Sequence, residues 1–106
     1  MILYNKLIRD KIPEIMEKAG KCYSIRKLKD EEYLNSLNHK MQEELNEYFE
    51  SGEVEELADI VEIIHAIIKT KKVSLDDFEE IRLSKKENRG SFEKRLLLES
   101  VEENNE

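Results

Sequence analysis

Two pairs of acidic residues stand on either side of Gly52, where the sequence most easily breaks between two helical segments. Glu44 and Glu47 precede the break, and Glu56 and Asp59 follow it. Residues three apart share one face of a helix, so each pair presents its two carboxylates together. If the segments fold back on each other about Gly52, all four carboxylates face one another near the bend. Such a cluster can bind Mg²⁺, which takes carboxylate oxygens, keeps some waters and bridges to phosphates.

The apolar residues of the two segments indicate which faces are buried. In the first segment they form a stripe of Leu34, Leu37, Met41, Leu45 and Tyr48. In the second, a stripe of Leu57, Val61, Ile64 and Ile68 is widened by Ile60, Ile63 and Ile67. At about 100° per residue, Glu44 falls on the edge of the first stripe, Glu56 falls inside the second, and Asp59 borders it. A carboxylate among apolar neighbours is costly unless it is paired or metal-bound. The alternative is that these acids are solvated faces of an acid-rich chain.

The bulk properties of the chain narrow the classes of function. Its 106 residues suit one domain, which we place at residues 1–101. A formal net charge of -7 argues against a general nucleic-acid binder and against a membrane-surface protein. No long apolar run or signal peptide is evident, so we expect a cytoplasmic protein. The single cysteine, Cys22, has no second thiol to pair with and is interpreted as a packing residue.

The first half of the chain is expected to contain two helices. Asp10 can cap a first helix that runs to about Lys18. Residues 21–28 are rich in strand-forming residues and predict a strand or an extended connection. Asp30 then opens a long helix to about Glu50.

The second half is expected to contain two more helices. Residues 54–70 are isoleucine-rich on more than half the helix circumference, which is typical of the central helix of a bundle. Ser74 can cap a further helix to about residue 88. Residues 92–101, which hold the leucine run 96–98, predict either a short strand able to pair with residues 21–28, the interpretation we favour, or a helical extension. Residues 102–106 are expected to be a disordered tail. The predicted fold class is therefore mostly α, a bundle of about four helices with at most a short two-stranded ribbon.

Four blocks of the sequence carry a family resemblance. They are YNKLIRDKIPEIM at 4–16, KMQEELNEYFE at 40–50, EELADIVEIIHAI at 55–67 and KKENRGSFEKRLLL at 85–98. Together they resemble the MazG-like, all-α nucleoside triphosphate pyrophosphohydrolase superfamily, specifically the small proteins related to phosphoribosyl-ATP pyrophosphohydrolase. The chain departs from the family pattern in its short connection between Glu47 and Glu56, and in Ser91, where relatives often have a second glycine.

The resemblance implies a metal-dependent hydrolase. It assigns Glu44, Glu47, Glu56 and Asp59 as Mg²⁺ ligands. It implies cleavage of a nucleoside triphosphate between its α and β phosphates, giving the monophosphate and pyrophosphate. It also implies a homodimer or higher homo-oligomer, which the small size of the core independently favours.

Proton transfer and phosphate binding need further residues. We assign Glu47 as the catalytic base that accepts the proton of the attacking water, with Glu43 and Glu62 as alternatives. A triphosphate also requires cations, because arginine can hold phosphate in a bidentate manner and lysine supplies a point charge. The candidate substrate-binding residues are Lys6, Arg9, Lys11, Lys40, Lys86 and Arg89.

Three functions compete at this point. The first is a Mg²⁺-dependent pyrophosphohydrolase that acts on surplus or modified nucleotides. The second is hydrolysis of phosphoribosyl-ATP in histidine biosynthesis. The third is a non-catalytic helical interaction protein, whose acids only keep the bundle soluble.

Overall fold

The computed structural model describes residues 2–103. Within that range the chain forms four helices, α1 (Ile12–Lys18), α2 (Asp30–Ser51), α3 (Val54–Thr70) and α4 (Leu75–Arg89). The predicted mostly-α fold with about four helices is confirmed. None of the helices in the described range is long and apolar enough to cross a membrane.

The candidate strand at residues 96–98 is wrong, and the short two-stranded ribbon that the prediction allowed at most does not form in the described residues. Neither residues 21–28 nor residues 96–98 form a strand, and no strand occurs elsewhere in residues 2–103. Residues 21–28 are the extended connection between α1 and α2, and the side chains of residues 96–98 are exposed. An isolated pair of strands is marginal in water without a further strand or a packed helix, so β-forming composition alone does not produce one.

The predicted cap of α1 is also wrong. Lys11, rather than Asp10, occupies the N-cap position, and no side chain caps the helix there. Pro13 lies in the first turn, where its missing N–H costs no helical hydrogen bond. Proline therefore places the start of this short helix without help from a capping carboxylate.

Helix α2 begins where the sequence predicts, and two contacts of one acid secure its start. The backbone N–H of Lys29, the N-cap residue, donates to Glu32 Oε1 at 3.4 Å. Arg26 Nη2 lies 2.9 Å from Glu32 Oε2. Arg26 and the Lys29 N–H together lower the pKa of Glu32 below its ordinary value. The extended connection is thus tied to the first turn of α2.

Helices α2 and α3 pack against each other as a helical hairpin and form the centre of the first part of the chain. Gly52 ends α2 in the left-handed conformation, with φ of 67°, and its N–H donates to the carbonyl of Tyr48 at 2.7 Å. Glycine adopts this conformation without the steric cost that a Cβ imposes. The bend is tight because only Gly52 and Glu53 separate the two helices.

The hairpin core is small. Its buried apolar side chains are Leu37 from α2 with Ile63 and Ile68 from α3. The rest of the predicted α2 stripe is half-buried rather than fully buried. The predicted α3 stripe is partly wrong, because Leu57 and Val61 are 41% and 48% exposed. The buried isoleucines come from both predicted sets, Ile68 from the stripe and Ile63 from the residues that widen it.

The chain divides into two compact units, Met1–Leu75 and Asp76–Glu106. The first contains α1 and the hairpin, and the second contains nearly all of α4 and the residues that follow it. No residue of α4 is buried. The single domain expected over residues 1–101 remains a prediction. Of the expected disordered tail, residues 104–106 lie outside the described range.

Candidate metal centre

Three of the four predicted metal ligands lie together between α2 and α3. Glu44, Glu56 and Asp59 each offer a carboxylate oxygen, and these oxygens all lie within 4.8 Å of one another. Glu44 comes from α2, whereas Glu56 and Asp59 lie one turn apart on α3. We call these three residues the acid cluster. It forms because α3 buries its isoleucine-rich face against α2, which carries the adjoining carboxylates into the same interface.

Glu44 is the most unusual member of the acid cluster. It is only 7% exposed, and it is the buried charged residue of the described chain. Its Oε2 is buried and has no hydrogen-bond partner. Burial raises the pKa of Glu44 above its ordinary value, and interaction with the Glu47 carboxyl raises it further. A buried carboxylate oxygen without a donor is costly, so this position calls for a positive charge or a proton.

The charged form of Glu56 is also disfavoured. Desolvation raises its pKa, and the negative charges of Glu47 and Asp59 add to that increase. Like charges at close range oppose joint ionisation. Glu47 itself is exposed and lies outside the set of three mutually close ligand oxygens, but its charge acts on both Glu44 and Glu56. Glu47 therefore borders the acid cluster on its solvent side.

The donor atoms fit a hard divalent cation. All of them are carboxylate oxygens, the ligand type favoured by Mg²⁺, Mn²⁺ and Ca²⁺. Their spacing allows one ion to contact all three residues. A hydrogen bond between Glu44 and a neighbouring carboxyl requires a proton on one of them, because an ionised carboxylate only accepts. A cation bound by these oxygens would remove the need for that proton.

Three of the predicted phosphate-binding cations border the acid cluster. Arg9 Nη2 lies 2.6 Å from Asp59 Oδ1, and Lys40 Nζ lies 3.6 Å from Glu44 Oε1. Lys6 Nζ lies 2.7 Å from Oε1 of Glu43, the residue before Glu44. Lys6 and Arg9 belong to the N-terminal segment, residues 2–9, which has no regular secondary structure. These ion pairs hold the segment along the α2–α3 hairpin.

The other three predicted cations are placed differently. Lys11 is the exposed N-cap residue of α1, and its carbonyl accepts a helical hydrogen bond from Ile15. Lys86 and Arg89 lie in the last turn of α4, in the second unit, and both are exposed. The phosphate-binding role of these three residues stays a prediction.

The sequence reasoning missed two features around the acid cluster. Glu43 is an anchor for the N-terminal segment, and the Lys6 ammonium holds the pKa of Glu43 below its ordinary value. In addition, Asn35, Ser36 and His39 form a polar strip on α2 that lines a groove beside the N-terminal segment. His39 lies three residues after Ser36 and four after Asn35, and this helical spacing is a detectable signal. The course of the irregular segment beside them has no such signal.

No family model, curated protein or solved structure gives a match when compared with the chain. The family resemblance of the four sequence blocks therefore remains a prediction.

Proposed function

We propose that the protein is a Mg²⁺-dependent nucleoside triphosphate pyrophosphohydrolase. The observation that carries the proposal is the buried Glu44 carboxylate, whose Oε2 lacks a partner while Glu56 and Asp59 offer oxygens beside it. A solvated acidic face has no reason to bury one of its carboxylates in this way. The neighbouring cations and the resemblance of the sequence blocks specify the chemistry further, towards a phosphate-bearing substrate.

In this proposal one group of residues binds the metal ion and another binds the phosphates of the substrate. Glu44, Glu56 and Asp59 would hold the ion, with Glu47 as a further ligand or base at its solvent side. Bound Mg²⁺ neutralises charge on the phosphates and lowers the pKa of a coordinated water. Lys6, Arg9 and Lys40 supply positive charge at the rim of the acid cluster, where a polyphosphate would approach.

The proposed reaction is hydrolysis of the α–β anhydride. Water attacks a phosphorus atom of this bond, a new P–O bond forms, and the P–O bond to the bridging oxygen breaks. The products are a nucleoside monophosphate and pyrophosphate. Glu47 is exposed and adjoins the acid cluster, so its carboxylate can accept the proton from the attacking water and release it to solvent.

Product analysis tests this reaction. The purified protein is incubated with Mg²⁺ and a panel of canonical and modified nucleoside triphosphates, and also with phosphoribosyl-ATP. We expect pyrophosphate together with a nucleoside monophosphate, whereas release of inorganic phosphate with a diphosphate would contradict the proposal. A strong preference for phosphoribosyl-ATP would instead assign the enzyme to histidine biosynthesis.

Metal binding provides a separate test. Mg²⁺ should raise the melting temperature of the wild type, since a ligand that binds only the native state stabilises it. The increase should disappear in Glu56→Gln and persist in Glu55→Gln, a matched change at the exposed neighbouring residue on α3. If Mg²⁺ has no effect on any of these proteins, the non-catalytic helical interaction protein is the better interpretation.

We also propose that the chain forms a homodimer or a higher homo-oligomer. The described core has few buried apolar side chains, and Val54, Leu57 and Val61 form an exposed apolar stripe on α3. A stripe with this spacing is typical of a helix that packs against a partner. Light scattering coupled to size-exclusion chromatography should give at least twice the 12.6 kDa chain mass. A monomer at micromolar concentration would contradict this part of the proposal.

A further inference from the structure

A groove of about 330 Å³ runs between the N-terminal segment and the first half of α2. Its volume falls at the small end of the range for small-molecule sites, which begins at about 300 Å³. Side chains of both elements line it, among them Tyr4, Asn5, Asn35, Ser36, His39 and Lys40.

The groove adjoins the acid cluster along α2. Glu43 is the last α2 residue that lines it and directly precedes Glu44. Two lysines stand at this junction, with Lys6 Nζ 2.7 Å from Glu43 Oε1 and Lys40 Nζ 3.6 Å from Glu44 Oε1. A ligand lying in the groove would therefore extend past two ammonium groups before it reached the carboxylates.

The lining combines charged and uncharged groups. Apart from Lys6, Lys40 and Glu43, it offers uncharged hydrogen-bonding groups, namely two amides, a hydroxyl and an imidazole, and it includes the exposed Tyr4. Such groups suit the edge and face of a planar heterocycle and the hydroxyls of a sugar. Phosphates would instead bind beside Lys6 and Lys40, which supply the positive charge at the junction with the acid cluster. The distribution of charge therefore favours the nucleoside end of a nucleotide in the groove and the phosphates beside the lysines.

We propose that the groove binds the nucleoside part of the substrate, with the base and sugar between the N-terminal segment and α2. The phosphates then pass Lys6 and Lys40 towards the acid cluster. In this arrangement Asn35 and His39 contact the nucleoside and determine which nucleotides are accepted. The inference rests on the proposed function for its choice of ligand, but it can fail independently of that function.

Binding of the product nucleotide tests the groove without catalysis. The full chain, labelled with ¹⁵N and kept free of divalent metal by chelator, is titrated with AMP, GMP, CMP, UMP and dTMP. We expect at least one of them to shift the signals of Asn35, Ser36 and His39 in a saturable manner. Inorganic pyrophosphate, which has charge but no nucleoside, should affect Lys6 and Lys40 and leave Asn35 unchanged. If no monophosphate perturbs the three α2 residues at millimolar concentration, the proposal is overturned.

Kinetics provide the second test. Asn35→Ala and His39→Ala should each raise KM about ten-fold for the preferred nucleotide and leave kcat within about two-fold, since they remove nucleoside contacts away from the reacting bond. Asn38→Ala is the matched control, because Asn38 is exposed on α2 and does not line the groove. Unchanged KM in both groove variants, with active wild type, would overturn the groove proposal and leave the proposed function standing. Absence of pyrophosphate release by the wild type, together with nucleotide-induced shifts at Asn35 and His39, would instead refute only the proposed reaction.

Discussion

Arg9 Nη2 lies 2.6 Å from Asp59 Oδ1, so the N-terminal segment places a guanidinium directly on one carboxylate of the acid cluster. The two residues are fifty positions apart in the sequence and belong to different structural elements. The guanidinium already offsets part of the negative charge of Asp59. We propose that a divalent cation at the acid cluster would have to compete with this charge.

We predict that Arg9→Gln tightens Mg²⁺ binding in the absence of nucleotide. The gain should be about 1.4- to five-fold, because an exposed ion pair is typically worth ~0.2–1 kcal/mol. Isothermal titration calorimetry with Mg²⁺ measures it directly. Arg26→Gln is the control, since Arg26 pairs with Glu32 at the start of α2. Unchanged or weaker Mg²⁺ affinity in Arg9→Gln would show that Arg9 does not compete for Asp59.

Replacement of Glu44 should stabilise the metal-free protein. Glu44→Gln removes a buried charge whose Oε2 lacks a donor, and the new amide can donate to the neighbouring carboxylates. We expect the free energy of unfolding at pH 7 to rise by about 1–3 kcal/mol. Urea denaturation in the presence of chelator measures the change, with the exposed Glu55→Gln as a control. A loss of stability in Glu44→Gln would mean that its carboxylate is satisfied without metal.

The same residue predicts a pH dependence of stability. Burial raises the pKa of Glu44 and of Glu56 in the native state above the ordinary glutamate value of about 4.5. At pH values between the ordinary and the raised pKa, the native state therefore binds more protons than the unfolded state does. Stability of the metal-free protein should therefore fall as pH rises through that window. Glu43 has the opposite effect, at lower pH. Its pKa is lowered in the native state, so the stability that it contributes is lost as the pH falls below the ordinary glutamate pKa.

The measurement is a comparison of variants across pH. The stability of Glu44→Gln minus that of wild type, both without metal, should grow as pH increases through the window and then level off. A difference that is constant from pH 4 to 8 would contradict the raised pKa of Glu44.

Truncation of the hairpin core should be costly. Leu37 is 3% exposed and belongs to the small buried set between α2 and α3. Leu37→Ala should lower the free energy of unfolding by about 2–5 kcal/mol, from lost burial and the cavity that remains. Leu3→Ala, at a residue that is 78% exposed, should change it by less than about 0.5 kcal/mol. Equal costs at the two sites would indicate that the hairpin is not the stabilising unit.

The bend between α2 and α3 should require glycine for its backbone. Gly52 has φ of 67°, and a Cβ built there would meet no atom within 4 Å. The cost of Gly52→Ala is therefore conformational rather than a clash, at about 1–2 kcal/mol. Gly52→Asn should recover part of that loss, because asparagine tolerates the left-handed region better than alanine does. Thermal unfolding of the two variants checks the ranking, and an alanine variant as stable as wild type would contradict it.

The sequence predicted the hairpin better than its surroundings. Helices α2 and α3 carry strong 3.6-residue periodicity and a glycine stop, which fix their extent and bring Glu44 level with the acids of α3. The pairing of Arg9 with Asp59 was not predictable, because it depends on the path of an irregular segment. Leu57 was assigned to the core and is partly exposed, since an α3 face that is apolar over a wide arc does not specify which side meets α2.

The N-terminal segment is joined to the hairpin through Lys6 with Glu43 and Arg9 with Asp59, and both pairs are in contact with solvent. At physiological ionic strength charges are screened over about 8 Å, and more strongly as salt is added. Added salt therefore weakens both ion pairs, the one that holds a wall of the groove and the one that holds the Arg9 guanidinium at the acid cluster. Ionic strength becomes a control on how completely the site is assembled, even where the helices themselves remain folded.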